Sequence, residues 1–199
     1  MNNETKKEGF KLIQKPAKGK MGALLIVFAW IAVWNVIYQA LHPTLEASGL
    51  HIVNWAFFVT VTLFFMQEEL TYKQRFWHTL VGGAVGLLIA AAIILVYVEL
   101  LKKGTAPLVS ISIPLVIGIG LLILAHPYMP AVFNNVGFVY LIVAFIDADN
   151  LIPMLPWYLV SLAAGSLILN LPCGVFINLY VKNLTKKAIA AAKKAEAVK

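Results

Sequence analysis

The residues of this chain best suited to chemistry are neutral amides and aromatics spaced four apart inside long apolar runs. Asn35 and Gln39 fall on one face of a helix, with Trp30, Trp34 and Tyr38 as a neighbouring stripe at the same spacing. Asn170, Gly174 and Asn178 repeat that spacing near the other end of the chain, interrupted by Pro172. An internal proline frees a backbone carbonyl and kinks its helix. In a membrane this is tolerated where neighbours or a wet cavity satisfy the carbonyl. Pro114 does the same beside Ser110 and Ser112. Such side chains serve either as hydrogen bonds between helices, each worth only about 0.6 kcal/mol, or as the lining of a path for a polar solute.

A second set comes in duplicate. The chain reads HPTLEASGLHIVNWAFF from His42 and HPYMPAVFNNVGFVY from His126. In both, His-Pro ends an apolar run, and Asn opens the next with an aromatic three residues on: Asn54 with Phe57, and Asn135 with Phe138. Proline disfavours helix at the residue before it, so His-Pro is expected to close one helix. Asparagine accepts from free helix N–H groups, so Asn54 and Asn135 are expected to cap the next.

Patterns for covalent or hydrolytic chemistry are missing. The sequence holds no Gly-x-Ser-x-Gly, no His-Glu-x-x-His and no phosphate-binding glycine loop. No Asp, Glu, Lys or Arg falls in the middle of an apolar run, which argues against an enzyme and against a proton relay. His42, His78 and His126 lie near the ends of runs, where surface or capping roles suffice, and no metal or cofactor is expected. The one cysteine, Cys173, permits neither an intrachain disulfide nor a thiolate cluster.

These side chains must be held by membrane helices. The 199 residues are 61% hydrophobic and 13% charged, against roughly 45–50% and 25% in soluble domains. About 20 apolar residues cross the hydrocarbon core, and six stretches approach that length: 21–41, 50–66, 76–101, 107–125, 131–146 and 157–181. The expected fold is an all-α integral membrane protein with six transmembrane helices (21–181), between a basic arm (1–20) and a basic tail (182–199). The polar arm carries no small-residue cleavage site and is read as a cytoplasmic arm, not a cleavable signal.

Fourteen of the sixteen Lys and Arg lie in the arm, the tail and the loop holding Lys73 and Arg75; Lys102 and Lys103 are the others. The positive-inside rule then puts both termini of this multi-pass chain in the cytoplasm. Basic residues so placed orient a chain in lipid, whereas a nucleic-acid surface would spread them over one face among aromatics. The expected partners are the lipid bilayer, a small-molecule solute and further copies of the chain, with no nucleic acid.

An offset of 81 residues sets Asn54 on Asn135, Phe57 on Phe138, Phe64 on Phe145 and Leu70 on Leu151; near 83, Gly82 and Gly83 fall on Gly165. Halves of three helices each, about 21–101 and 107–181, must cross in opposite senses. That is a 3+3 inverted repeat, whose solute path lies between the halves. The second and fifth runs are the shortest and correspond, which marks them as the place to look for that path. Its expected lining is Asn35, Gln39, Asn54, Asn135, Asn170 and Asn178 with Trp34, Phe57 and Phe138. Gly82-x-x-x-Gly86 allows close backbone approach, within the bundle or between protomers.

The stretches NWAFFVTVTLFF, TLVGGAVGLLIAAA, FNNVGFVYLIVAF and WYLVSLAAGSLILNLPCGVF resemble a family of short bacterial inner-membrane proteins of unknown function. That family is distantly similar to the membrane half of the fusaric-acid-resistance exporters. The resemblance spans roughly residues 21–181, and the exporter likeness implies movement of small organic acids. The large soluble domain of those exporters is not in this chain. The expected function is a small-solute channel, facilitator or minimal transporter; the alternative is a non-transporting scaffold or regulatory subunit of a membrane complex.

Overall fold

A computed structural model describes residues 19–196, and the described residues form helices joined by short connections. The elements are α1 (Lys20–Ala47), α2 (Asn54–Met66), α3 (Tyr72–Lys102), α4 (Pro107–Ala125) and α5 (Asn135–Ala144), the last followed by a 3-10 turn at Phe145–Asp147. Then come α6 (Leu151–Ala164), a π-helical segment (Gly165–Asn170) and α7 (Leu171–Glu196), which run on from one another. The expectations for the N-terminal arm fall outside the described residues, except at its last two positions.

Four helical runs are long and apolar enough to cross a membrane: α1, α3, α4 and the joined α6–α7. Their outer faces carry Phe28, Val36, Leu108, Ile117, Leu124 and Phe176 in exposed positions, as lipid-facing helices do. The two remaining apolar helices are short. At 13 and 10 residues, α2 and α5 reach about 20 Å and 15 Å, less than the roughly 30 Å of hydrocarbon. They are nevertheless the most interior elements: Ala56, Val61, Tyr140, Leu141 and Ala144 are fully buried.

The packing is paired. Helix α3 packs most extensively on α5 and next on α4; α6 with the π segment packs on α2, and α7 on α1; α3 and α6 meet in the middle. Glycine sets the two tightest approaches. A Cβ on Gly86 would fall on the Gly137 carbonyl, and a Cβ on Gly165 would fall on the Phe57 carbonyl. The Gly82-x-x-x-Gly86 face is thus buried inside the chain against α5, where it fills the within-bundle role.

Several boundaries differ from the expected ones. Pro43 lies inside α1, which continues to Ala47, whereas His126-Pro127 does end α4 at Ala125. Pro43 removes one helical N–H without ending α1, so the two His-Pro steps are not equivalent. Nor does Asn54 cap α2: the capping position is Val53, and its N–H donates to Ser161 Oγ of α6 at 2.7 Å. In α5 the cap is Asn134, which accepts from Gly137 N at 3.1 Å, so Asn135 is the first helical residue. Residues 151–156, expected in a loop, already belong to α6, with Pro153 in its first turn, where a missing N–H costs nothing.

Candidate functional site

The two ends of the bundle differ. One end carries the α2–α3 and α4–α5 connections, and two clefts open there. The first, about 500 Å³, is lined by Gln67, Glu68, Glu69, His78, His126, Asn134 and Asn135 with Met66 and Pro130. The second, about 530 Å³, is lined by Phe64, Tyr72, Lys73, Phe76, Asn170, Leu171, Gly174, Val175 and Asn178.

The wall between the clefts is the α2–α3 connection, and its bonds hold it in place. Gln67 Nε2 donates to Leu63 O (3.0 Å) and Thr79 Oγ1 (3.1 Å). Arg75 reaches back to Leu70 O (2.8 Å) and Glu68 O (2.7 Å) and lies over the Tyr72 ring. Thr71 and Gln74 form a capping box at the start of α3. Lys20 of α1 pairs with Glu68 at 2.9 Å across exposed surface. That pair adds little energy but places the start of α1 at the same end.

In the first cleft Asn134 does two jobs. Its oxygen caps α5, and its Nδ2 donates to His78 O of α3 at 3.1 Å. Gly82 makes room for it, since a Cβ there would meet the Asn134 amide. His126 Nδ1 donates to Phe133 O at 2.6 Å, which sets the ring's tautomer. Among the described residues no group of His, Cys, Asp and Glu has the arrangement to hold a metal.

The opposite end is closed by aromatics. Tyr140 Oη donates to Ala56 O (2.7 Å) and Tyr158 Oη to Asp147 Oδ2 (2.8 Å), with both rings fully buried. Trp55 packs on both tyrosines, at 5.9 and 5.1 Å between ring centroids, and His51 stacks edge-on against Trp157 at 5.2 Å. The hydroxyls satisfy carbonyl and carboxylate oxygens, so this seal costs no orphaned polar group.

The nine residues expected along one path are not brought together. Asn170 and Asn178 share the second cleft, Asn170 fully buried and Asn178 exposed. Asn135 lines the first cleft and, with Phe138, a smaller recess of about 170 Å³ beside it. Asn54 is exposed at the start of α2, and Phe57 is buried in a small cluster with Val61 and Leu169. Asn35 and Gln39 lie on the exposed face of α1, away from the clefts described above, and Trp34 packs edge-on with Trp30. The Asn35 and Gln39 stripe thus faces outward, while the neighbouring stripe of Trp30, Trp34 and Tyr38 is the one turned to the bundle, Trp34 packing on the cluster that holds Phe57.

Ser166, Ser161, Asn134, Tyr140 and Tyr158, which reading the sequence passed over, join Trp30 and Asn170 here. Trp30 Nε1 donates to Leu169 O at 3.0 Å, in the turn before Pro172, satisfying a carbonyl where the helix widens. Ser166 and Asn170 are fully buried within that widened segment, and Ser166 Oγ, Asn170 Oδ1 and Asn170 Nδ2 have no hydrogen-bond partner. Their four-residue spacing was visible, as was Asn134 one step before Asn135. Ser161, Tyr140 and Tyr158 carry no such signal, since each looks like an ordinary member of an apolar run.

No family model, curated protein or solved structure matches the chain.

Proposed function

We propose that this protein is a small-solute carrier of the bacterial inner membrane, a minimal transporter standing open toward the cytoplasm. The observation that carries the reading is the contrast between the two ends: two clefts of about 500 Å³ at one, and an aromatic seal of Tyr140, Tyr158 and Trp55 at the other. A channel needs both ends wet at once, whereas a carrier keeps one closed. On this reading α2 and α5 are the fifth and sixth crossing elements, short because each ends at a water-filled mouth. Among the described residues Lys20, Lys73 and Arg75 lie at the cleft-bearing end, and the positive-inside rule favours the cytoplasm for that side.

The inverted repeat is part of the same proposal. Its support is the exchange of partners: α3 packs on α5 and α4 as α6–α7 packs on α2 and α1. Gly86 against Gly137 answers Gly165 against Phe57. The two helix starts match too. Val53, which the 81-residue offset sets on Asn134, binds Ser161 of α6, while Asn134 binds His78 O of α3. The resemblance to exporter membrane domains points to small organic acids as cargo.

The test is uptake into proteoliposomes of a panel of small acids, amides and polyols. At least one solute is expected to enter faster than into protein-free liposomes, and Trp55→Ala is expected to change that rate several-fold. Equal rates with and without protein, for every solute, would sink the carrier reading. They would leave the scaffold reading, which the exposed stretch of α7 over residues 182–190, with Lys182, Lys186 and Lys187, favours.

A further inference from the structure

Asparagine in the interior of a protein almost always has partners, because an amide stripped of water and left unpaired costs free energy. Asn170 breaks that rule twice over, with neither Oδ1 nor Nδ2 paired, and Ser166 Oγ one turn away is unpaired as well. All three atoms sit in a π-helical segment, a distortion that inserts residues into a helix and recurs where proteins bind something. Asn170 forms part of the wall of the second cleft. The cleft lies within the 300–1,000 Å³ typical of small-ligand sites.

We infer that the second cleft is a ligand site, and that Asn170 is its polar anchor. The rest of the lining defines the ligand. Phe64, Tyr72 and Phe76 supply aromatic walls, and Gly174 leaves space beneath the Tyr72 ring, where a Cβ would come within 2.8 Å. Lys73 is the single charged residue of the lining. An amide must both donate and accept to be satisfied. The ligand class is therefore an anion on an apolar body that also carries a hydrogen-bond donor, such as a hydroxy acid with an aromatic or branched side chain. The anion answers Lys73, the donor answers Asn170 Oδ1, and Asn170 Nδ2 takes an acceptor oxygen. A phosphatidylglycerol headgroup with its acyl chains has the same chemistry, so the ligand comes either from solution or from the bilayer. Binding here does not require that the protein move anything across the membrane.

The experiment measures thermal unfolding of the full-length protein. In phosphatidylcholine nanodiscs, phenyllactate is expected to raise Tm by about 3 °C at saturating concentration. Hydrocinnamate, which lacks the donor, and phenylpropanediol, which lacks the charge, are expected to bind at least fivefold more weakly. Replacing phosphatidylcholine by phosphatidylglycerol forms the second arm; a rise there without a response to phenyllactate assigns the site to lipid. In either arm Asn170→Leu is expected to abolish the response while leaving the ligand-free Tm equal to or above that of the natural chain, because it removes an orphaned amide. Lys73→Gln, at an exposed position, is expected to weaken the anion and spare the diol, and it serves if Asn170→Leu fails to fold. No response in either arm, or a response unchanged by these substitutions, overturns the site. Uptake in liposomes with no binding here would leave the carrier reading standing and this one refuted.

Discussion

Ser161 and Asn134 give the two short helices their starts by different means. Asn134 caps α5 from within its own chain segment and also reaches α3. Val53 has no side chain able to cap, and its N–H instead finds Ser161 from α6, more than a hundred residues away. Removing either group leaves a helix terminus with unpaired polar atoms away from water, so the cost should exceed that of a surface hydrogen bond. Ser161→Ala is expected to destabilise by about 1 kcal/mol and Asn134→Ala by about 2 kcal/mol, because the second loses a cap and a tertiary bond together. Unfolding in a mild detergent, followed by circular dichroism, checks both; equal and negligible losses would mean that water enters and replaces the bonds.

At the scale of helices, close approach is what the glycines provide. Gly86→Val would drive a branched side chain into the Gly137 carbonyl, backbone that cannot step aside. That substitution is expected to cost about 3 kcal/mol or more, in the range of an overpacked core. Gly120→Ala on α4 meets nothing within 4 Å, and is expected to be neutral or stabilising by up to about 1 kcal/mol. Melting temperatures of the two variants should move in opposite directions or by very different amounts. The existence of α1, α3 and α4 was legible because each is a long apolar run, and α4 matches its expected limits of 107–125 to the residue. Apolar runs do not say which face turns inward, and that is why the Asn35 and Gln39 stripe was assigned to an interior it does not face. The cap at Val53 was illegible for a different reason, since its partner lies in another helix and no local pattern encodes it.

For the molecule as a whole, the sidedness of the clefts is the property to test. A cysteine placed at Asn135, exposed in the first cleft, and one at His51, exposed at the sealed end, lie at opposite ends of the bundle. Cys173 is fully buried and is expected to stay unlabelled in the folded protein. In intact cells an impermeant maleimide is therefore expected to label His51→Cys, and to label Asn135→Cys only after the membrane is opened; the reverse pattern would invert the proposed orientation.

The shortness of α2 and α5 also has an electrical consequence. Water conducts and packed protein insulates, so a membrane potential falls across the dry stretch of the molecule and hardly at all along a flooded cleft. With one mouth reaching the first turn of α5, the insulating length shrinks from about 30 Å of hydrocarbon toward the 15–20 Å of the short helices. The field over the aromatic seal is then up to about twice that in the surrounding lipid. Among the described residues Asp, Glu, Lys and Arg lie near helix ends, in connections or in the C-terminal half of α7, not inside that stretch. If the protein is the carrier proposed above, the charge that feels the field is the solute's own, worth about 2.3 kcal/mol per unit charge for each 100 mV. An anion carried by such a protein would be driven outward by an interior-negative potential, with no need for a coupled ion.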